Sequence, residues 1–230
     1  MPGAVWAVLA AAGRGERLGQ DRPKAFARLG QLPLLAESLR RLDECDSIDA
    51  IVVVAPPGWE EPAILLAEEI GASKVSACVA GGDTRSASVR AGLAEVPEDA
   101  AVVLVHDAAR PFLPPGLVER LLEALDEGFD GAVPAVPVAD TIKRARDGVV
   151  LETPARDELV AVPPPQAFVA SVLRAAAAAG EGSDCASLVE ASGGRIKVVP
   201  GDERLLKVTT AADLERVATW LAAESPLASD

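Results

Sequence analysis

The chain has 230 residues, 50% of them hydrophobic, with 35 acidic against 22 basic side chains and a formal net charge of −13. That length allows one large domain or two small ones and a full core, while the acidic balance argues against a nucleic-acid binder and requires any anion site to be built from local cations. Scattered Cys45, Cys78 and Cys185 argue against a disulfide framework or zinc site, the lone His106 argues against His-rich metal centres, and the lack of a bilayer-length apolar run or a signal-like opening predicts a cytoplasmic protein without membrane contact.

With only three Trp, four Phe and no Tyr, Ala, Val and Leu must fill the interior, as in a buried sheet flanked by helices. Val5–Ala10 reads as a strand, residues 34–42 as a helix with Leu35, Leu39 and Leu42 on one face, and Ile51–Ala55 as a β-branched buried strand. A helix over 60–70 stops at Gly71, a short strand covers 74–79, and a helix over 84–93 follows Gly81-Gly82-Asp83. Val102–Val105 is a strand running into His106-Asp107; a helix over 116–125 and a strand over 131–136 follow. This alternation predicts an α/β fold: an open, largely parallel, Rossmann-like sheet with helices on both faces.

The alternation breaks at residues 137–165, where Val138 to Arg144 and Val149 to Thr153 read as a hairpin around Asp147-Gly148. A two-stranded ribbon is not stable alone, so it packs either on a second subunit or back on its own domain. Helices over 168–179, 186–191 and 211–223 and an edge-type strand over 195–200 complete the chain, parsed as one domain with an arm at about 137–160.

Four clusters carry candidate chemistry. The segment from Ala10 to Lys24 places Gly13, Gly15 and Gly19 among Arg14, Arg17, Arg22 and Lys24, directly after the first strand. Small residues admit backbone N–H groups close to a ligand and the cations favour an anion, most often a nucleotide phosphate; the alternative is a surface loop. The G-x-G-x-x-x-G spacing is neither the dinucleotide fingerprint nor a P-loop. Gly81 to Ser88 suits a nucleotide base or ribose, or serves only to cap a helix. His106 to Pro111 lies beyond a strand's carboxyl end, where Asp107 can bind a ribose hydroxyl or a water on Mg²⁺ and Arg110 a phosphate, or where the two pair to fix the loop. Lys207, between Leu206 and Val208, is either snorkelling or aimed at an anion.

In this order the clusters resemble the 2-C-methyl-D-erythritol 4-phosphate cytidylyltransferases of the non-mevalonate isoprenoid pathway. The matching residues are 10–17, Arg22-Pro23-Lys24, Gly81-Gly82-Asp83-Thr84-Arg85 with Ser88-Val89, residues 105–112, Asp140-Thr141-Ile142-Lys143-Arg144 and Lys207-Val208-Thr209. The chain departs from the family pattern at Pro164, where Thr is frequent, at Cys185, usually Asp, and at Leu205, commonly Asn. The resemblance implies transfer of CMP from CTP to 2-C-methyl-D-erythritol 4-phosphate, with Mg²⁺ bound mainly through the CTP phosphates. Arg17 and Lys24 would stabilise the transition state; Arg156 and Lys207 would position the acceptor phosphate, supported by Thr141 and Arg110. Gly81, Gly82, Asp83 and Ser88 would hold the cytidine. Ala11, Ala12, Gly13, Gly15, Asp107, Ala108 and Thr209 would complete the substrate contacts, and the arm would interlock a homodimer. The rival readings are a transferase for another polyol phosphate such as ribitol 5-phosphate, a dinucleotide oxidoreductase, and a nucleotide-binding protein without turnover.

Overall fold

The structure is a computed structural model that describes residues 3–13 and 22–224. Gly15 and Arg17 lie outside the described residues. β1 (Val5–Ala10) is followed by a 3₁₀ turn at Lys24–Phe26, the two-residue strands β2 (Arg28–Leu29) and β3 (Leu32–Pro33), α1 (Leu34–Asp43), β4 (Ala50–Ala55), α2 (Glu60–Glu69), β5 (Val75–Ala80), α3 (Arg85–Glu95), β6 (Val102–Asp107), α4 (Leu117–Asp126) and β7 (Gly131–Pro137). Then come β8 (Arg144–Arg146), β9 (Val149–Glu152), β10 (Val160–Ala161), β11 (Gln166–Val169), α5 (Ala170–Ala179), α6 (Cys185–Ala191), β12 (Ile196–Pro200) and α7 (Ala211–Glu224).

The sheet runs β10-β7-β11-β6-β1-β4-β5, with β12 pairing β7. β1 is central and parallel to both β4 and β6, and β12 is parallel to β7, whereas β11 runs antiparallel between β6 and β7. The expected largely parallel α/β sheet is therefore present, with β11 inserted antiparallel and the short β10 antiparallel at the edge beside β7. Alternating side chains divide the core: Ala7, Leu9 and Leu104 pack with Leu35 and Leu39 of α1 and Leu121 of α4, while Val8, Val103 and Val105 pack with Val89 of α3, Leu173 of α5 and Val189 of α6. Coverage of both faces is what makes near-continuous Val, Ile and Leu runs favourable in these strands.

Two readings are corrected. The helix expected over 168–179 starts only at Ala170, because Gln166–Val169 is strand β11. Alanine-rich helix propensity is overridden there by tertiary pairing: Phe168 sits opposite Val103 and Gly131 and is fully buried. In the hairpin only Arg144–Arg146 pairs with Val149–Glu152, and residues 138–143 form no strand. Asp147 (φ 50°) and Gly148 (φ 78°) form the expected left-handed turn, a geometry that suits glycine and short polar residues. Every residue from 139 to 153 is exposed, so this arm does not lie buried against its own domain.

If Phe168 is a core strand residue, Phe168→Ala is expected to destabilise the fold by about 3–5 kcal/mol in urea unfolding. A helix-surface residue would give well under ~1 kcal/mol.

Candidate active site

The carboxyl ends of the parallel strands are tied to one another by backbone hydrogen bonds. Ala11 N–H donates to Val54 (2.8 Å), Ala108 N–H to Ala10 (3.0 Å) and Gly81 N–H to Ala55 (2.8 Å). Ser38 of α1 adds a hydroxyl bond to the Ala108 carbonyl at 3.0 Å. Above this floor opens a cavity of about 740 Å³, within the range of small-molecule sites. Ala11, Ala12, Gly13, Lys24, Gly82, Asp83, Ser88, Asp107, Ala108 and Lys207 all line it. The sequence reading assigned no role to Pro56, Pro57 or Trp59, which form another part of the wall, while Arg22 and Arg85, read only as members of the first glycine-cation cluster and of the 81–88 turn, line it as well. Their signal was positional, since Pro56 follows β4 and Arg85 opens α3.

Lys24 is presented by a short helical turn. Phe26 N–H bonds the Pro23 carbonyl (2.9 Å), Ala27 N–H bonds the Lys24 carbonyl (3.0 Å), and the buried Phe26 ring meets Trp59 at 4.6 Å. In the 81–88 turn, position 81 requires glycine. A Cβ at Gly81 would lie 2.3 Å from the Ala12 Cβ, so a side chain there would force apart the two loops that wall the site. Ser88 Oγ accepts from Gly82 N–H at 3.1 Å, and Thr84 caps α3 by accepting from Ala87 N–H at 3.0 Å. Helix capping and a ligand-facing turn are thus the same structure.

Asp107 is the electrostatic centre. Lys207 Nζ lies 3.1 Å and Arg85 Nη2 3.5 Å from its two carboxylate oxygens, while Arg110 Nε is farther, at 3.9 Å. Burial opposes ionisation of Asp107, but Lys207 and Arg85 overcome it and hold its pKa below the usual carboxylate value. Burial also pulls Arg110 below the ordinary guanidinium value, with Asp107 acting against that shift. Arg110 does not line the cavity; its Nη1 donates to the Leu205 carbonyl. The departures at 185 and 205 are buried packing positions. Cys185 Sγ lies 3.7 Å from Arg85 Nη1, and Leu205 is 2% exposed.

Other expected site residues lie apart. Thr209 is engaged with the start of α7, its hydroxyl 2.7 Å from Asp213, whose pKa is pushed down to about 2 by hydrogen bonds from Thr209 and Thr210. Thr141 and Arg156 are exposed on the arm side of the chain, and Arg156 donates to its own Ala139 carbonyl at 2.9 Å. Neither lines this chain's cavity. Among the described residues no group of three or more His, Cys, Asp or Glu is arranged to hold a metal ion. Among the described residues, the carboxylates lining the cavity are Asp83 and Asp107. That sparse donor set fits a Mg²⁺ carried mainly by nucleotide phosphates, which needs only one or two carboxylates.

An open parallel sheet with a glycine-walled, cation-bearing cavity at its carboxyl ends defines a Rossmann-like nucleotide-site protein. Comparison with known proteins narrows the class. Residues 5–223 match the family model for 2-C-methyl-D-erythritol 4-phosphate cytidylyltransferase, and the chain belongs to that family. A relative of that name from Nocardia farcinica is 44% identical over 221 residues, covering 95% of this chain and 94% of its own. One from Saccharopolyspora erythraea is 45% identical over 216 residues, covering 91% of this chain and 96% of its own. Among solved structures, 4-diphosphocytidyl-2C-methyl-D-erythritol synthase from Anaerococcus prevotii superposes with a TM-score of 0.82 at 26% identity, covering 96% of this chain and 99% of that one. The Thermus thermophilus cytidylyltransferase gives 0.76 at 33% identity, covering 94% of this chain and 98% of that one.

His106 is buried at the base of the site, its Nε2 2.9 Å from the Arg110 carbonyl and its Nδ1 without a partner among the described residues. Burial pushes its pKa down to about 4, so near neutrality the uncharged ring donates from Nε2 and braces the loop. A group with a depressed folded pKa binds fewer protons folded than unfolded, so its contribution to stability falls as pH drops from 6.5 to about 4. Melting across that window is expected to show a slope of up to about 1.4 kcal/mol per pH unit from this residue. His106→Gln should lack that component, and equal slopes would contradict the assignment.

Proposed function

We propose that this chain transfers the cytidylyl group of CTP to 2-C-methyl-D-erythritol 4-phosphate. The observation that carries the reading is the convergence of Lys24 and Lys207 on one cavity that the Gly82–Ser88 turn also lines. Family membership supplies the substrate names.

The reaction is an in-line displacement at phosphorus. An oxygen of the acceptor phosphate attacks the α-phosphorus of CTP, a new P–O bond forms, and the bond from the α-phosphorus to the oxygen bridging to the β-phosphate breaks. Pyrophosphate leaves with that electron pair. The attacking phosphate is already anionic, so no side chain must remove a proton, and catalysis is positioning plus charge stabilisation. In this reading Lys24, with Arg17, meets the charge developing at the α-phosphate. The Gly81-Gly82 backbone, Asp83 and Ser88 hold the cytosine, and Ala11, Ala12 and Gly13 let the ribose and phosphates approach the backbone. Lys207, oriented by Asp107, holds the acceptor phosphate. Mg²⁺, when bound mainly through the CTP phosphates, would offset the triphosphate charge, with Asp107 the cavity carboxylate that would hold one of its waters.

The arm completes the reading. Val149, Val150 and Leu151 are more than half exposed, an apolar ribbon that needs a partner. We assign it to a second copy of the chain, so that a homodimer brings Thr141 and Arg156 of one arm to the other copy's cavity. The domain is then a single nucleotidyltransferase unit with a dimerisation arm at about 137–160. Three unpaired cysteines fit a reducing, cytoplasmic setting.

Incubation with CTP, Mg²⁺ and 2-C-methyl-D-erythritol 4-phosphate is expected to release pyrophosphate only when the acceptor is present. Release with ribitol 5-phosphate instead would reassign the acceptor, and silence with both would defeat the transferase reading. Lys24→Ala should lower kcat by ~10²-fold or more with the fold intact. Val150→Asp should shift the sedimenting species to monomer and abolish turnover. A fully active monomer would remove the arm from the site.

A further inference from the structure

The lysine assigned to the acceptor phosphate has a side chain that is 44% exposed. Its own packing therefore does little to aim it, and its position depends on where the backbone of residues 202–208 is held. We propose that Arg204 is a positioning residue for Lys207, fastening that segment to the loop after β6 and to the end of α7.

The geometry around Arg204 is a clamp. Its guanidinium reaches both carboxylate oxygens of Asp202, with Nε–Oδ1 at 3.1 Å and Nη2–Oδ2 at 2.8 Å, while its backbone N–H donates to Asp202 Oδ1 at 2.8 Å. Nη1 extends to Glu224 at the end of α7, 3.2 Å away. The guanidinium carbon also stands 5.2 Å from the centroid of the Phe112 ring. Phe112 is 1% exposed and lies five residues after Asp107, on the same loop as Arg110. Arg41 approaches the same ring at 4.4 Å and bonds the other Glu224 oxygen at 2.7 Å, and Trp220 meets it edge-on at 6.0 Å.

Past Arg204 the segment is held to the same loop from two further points. Arg110 donates to the Leu205 carbonyl, and Val208 N–H donates to the Ala109 carbonyl at 2.8 Å. Val208 is fully buried in a cluster with Phe112 and Val217 of α7. Lys207 thus lies between two anchored neighbours, which sets its ammonium 3.1 Å from Asp107. An ion pair as exposed as Arg204–Asp202 contributes little to stability by itself. The fork on Asp202 combined with the approach to an aromatic ring is a geometric device, and it needs the planar guanidinium rather than a lysine point charge.

The inference rests on the reading that Lys207 holds the acceptor phosphate, so the test measures both. Steady-state pyrophosphate release is followed on the full chain while CTP and 2-C-methyl-D-erythritol 4-phosphate are varied in turn. Arg204→Ala is expected to lower kcat/KM for the acceptor roughly 10-fold, mostly through KM, with the KM for CTP within about twofold of wild type, because a displaced phosphate-holding lysine misplaces only one substrate. Arg204→Lys should not recover the acceptor KM. Phe112→Leu, which keeps the core filled but removes the ring, should give the same split in milder form and serves if Arg204→Ala folds poorly. If Lys207→Ala leaves the acceptor KM unchanged, the site reading itself fails. If Lys207→Ala raises that KM while Arg204→Ala and Phe112→Leu do not, or if Arg204→Lys behaves as wild type, the positioning role alone is overturned.

Discussion

A buried carboxylate that must remain charged organises the site. Asp107 closes β6 on the floor of the cavity, 7% exposed, where burial disfavours its ionised form. It stays anionic because Lys207 and Arg85 arrive from residues 100 later and 22 earlier in the chain, and the parallel sheet is what brings those segments to one edge. The dependence runs both ways. A chain with a net charge of −13 repels anionic ligands at long range, so the cations that receive a phosphate must be held locally, and Asp107 is the group that holds two of them.

The same logic explains the surroundings. Neutral His106 braces the loop behind Asp107 without adding a charge, and Arg110 spends its guanidinium on the Leu205 carbonyl rather than on the open cavity. On the other side of the site, Lys24 is set by Phe26 packing on Trp59. The hydrophobic cluster of Ala27, Leu29, Phe112, Val208 and Val217 links the segment after Lys24, the loop after Asp107 and the segment of Lys207 under α7. A C-terminal helix far from the glycine loop in sequence is thereby joined to both lysines.

Much of this was legible in the sequence because each core strand carries its own signal. Ile51–Val54 and Val102–Val105 are continuous β-branched or leucine runs, and such runs occur where both sheet faces are covered. The glycine clusters that follow β1 and β5 pointed to the cavity because ligands sit beyond the carboxyl ends of such strands. What the sequence concealed was decided by tertiary contacts. Gln166–Val169 precedes an alanine-rich helix without any break in composition, and only pairing with β6 and β7 makes it a strand. Trp59 reaches the cavity through fold geometry, and no spacing rule marks it. Thr141 and Arg156 entered the reading only through resemblance, and within one chain they stand on an exposed arm away from the cavity.

Replacing Asp107 by asparagine separates this account from a simple charge argument. The variant is one charge less negative, so long-range electrostatics alone predicts tighter binding of an anionic ligand. If Asp107 instead holds Lys207 and Arg85 in place, calorimetric titration of Asp107→Asn with 2-C-methyl-D-erythritol 4-phosphate in the presence of a CTP analogue will show weaker binding than wild type. Unchanged or tighter binding would contradict the central role given to this carboxylate.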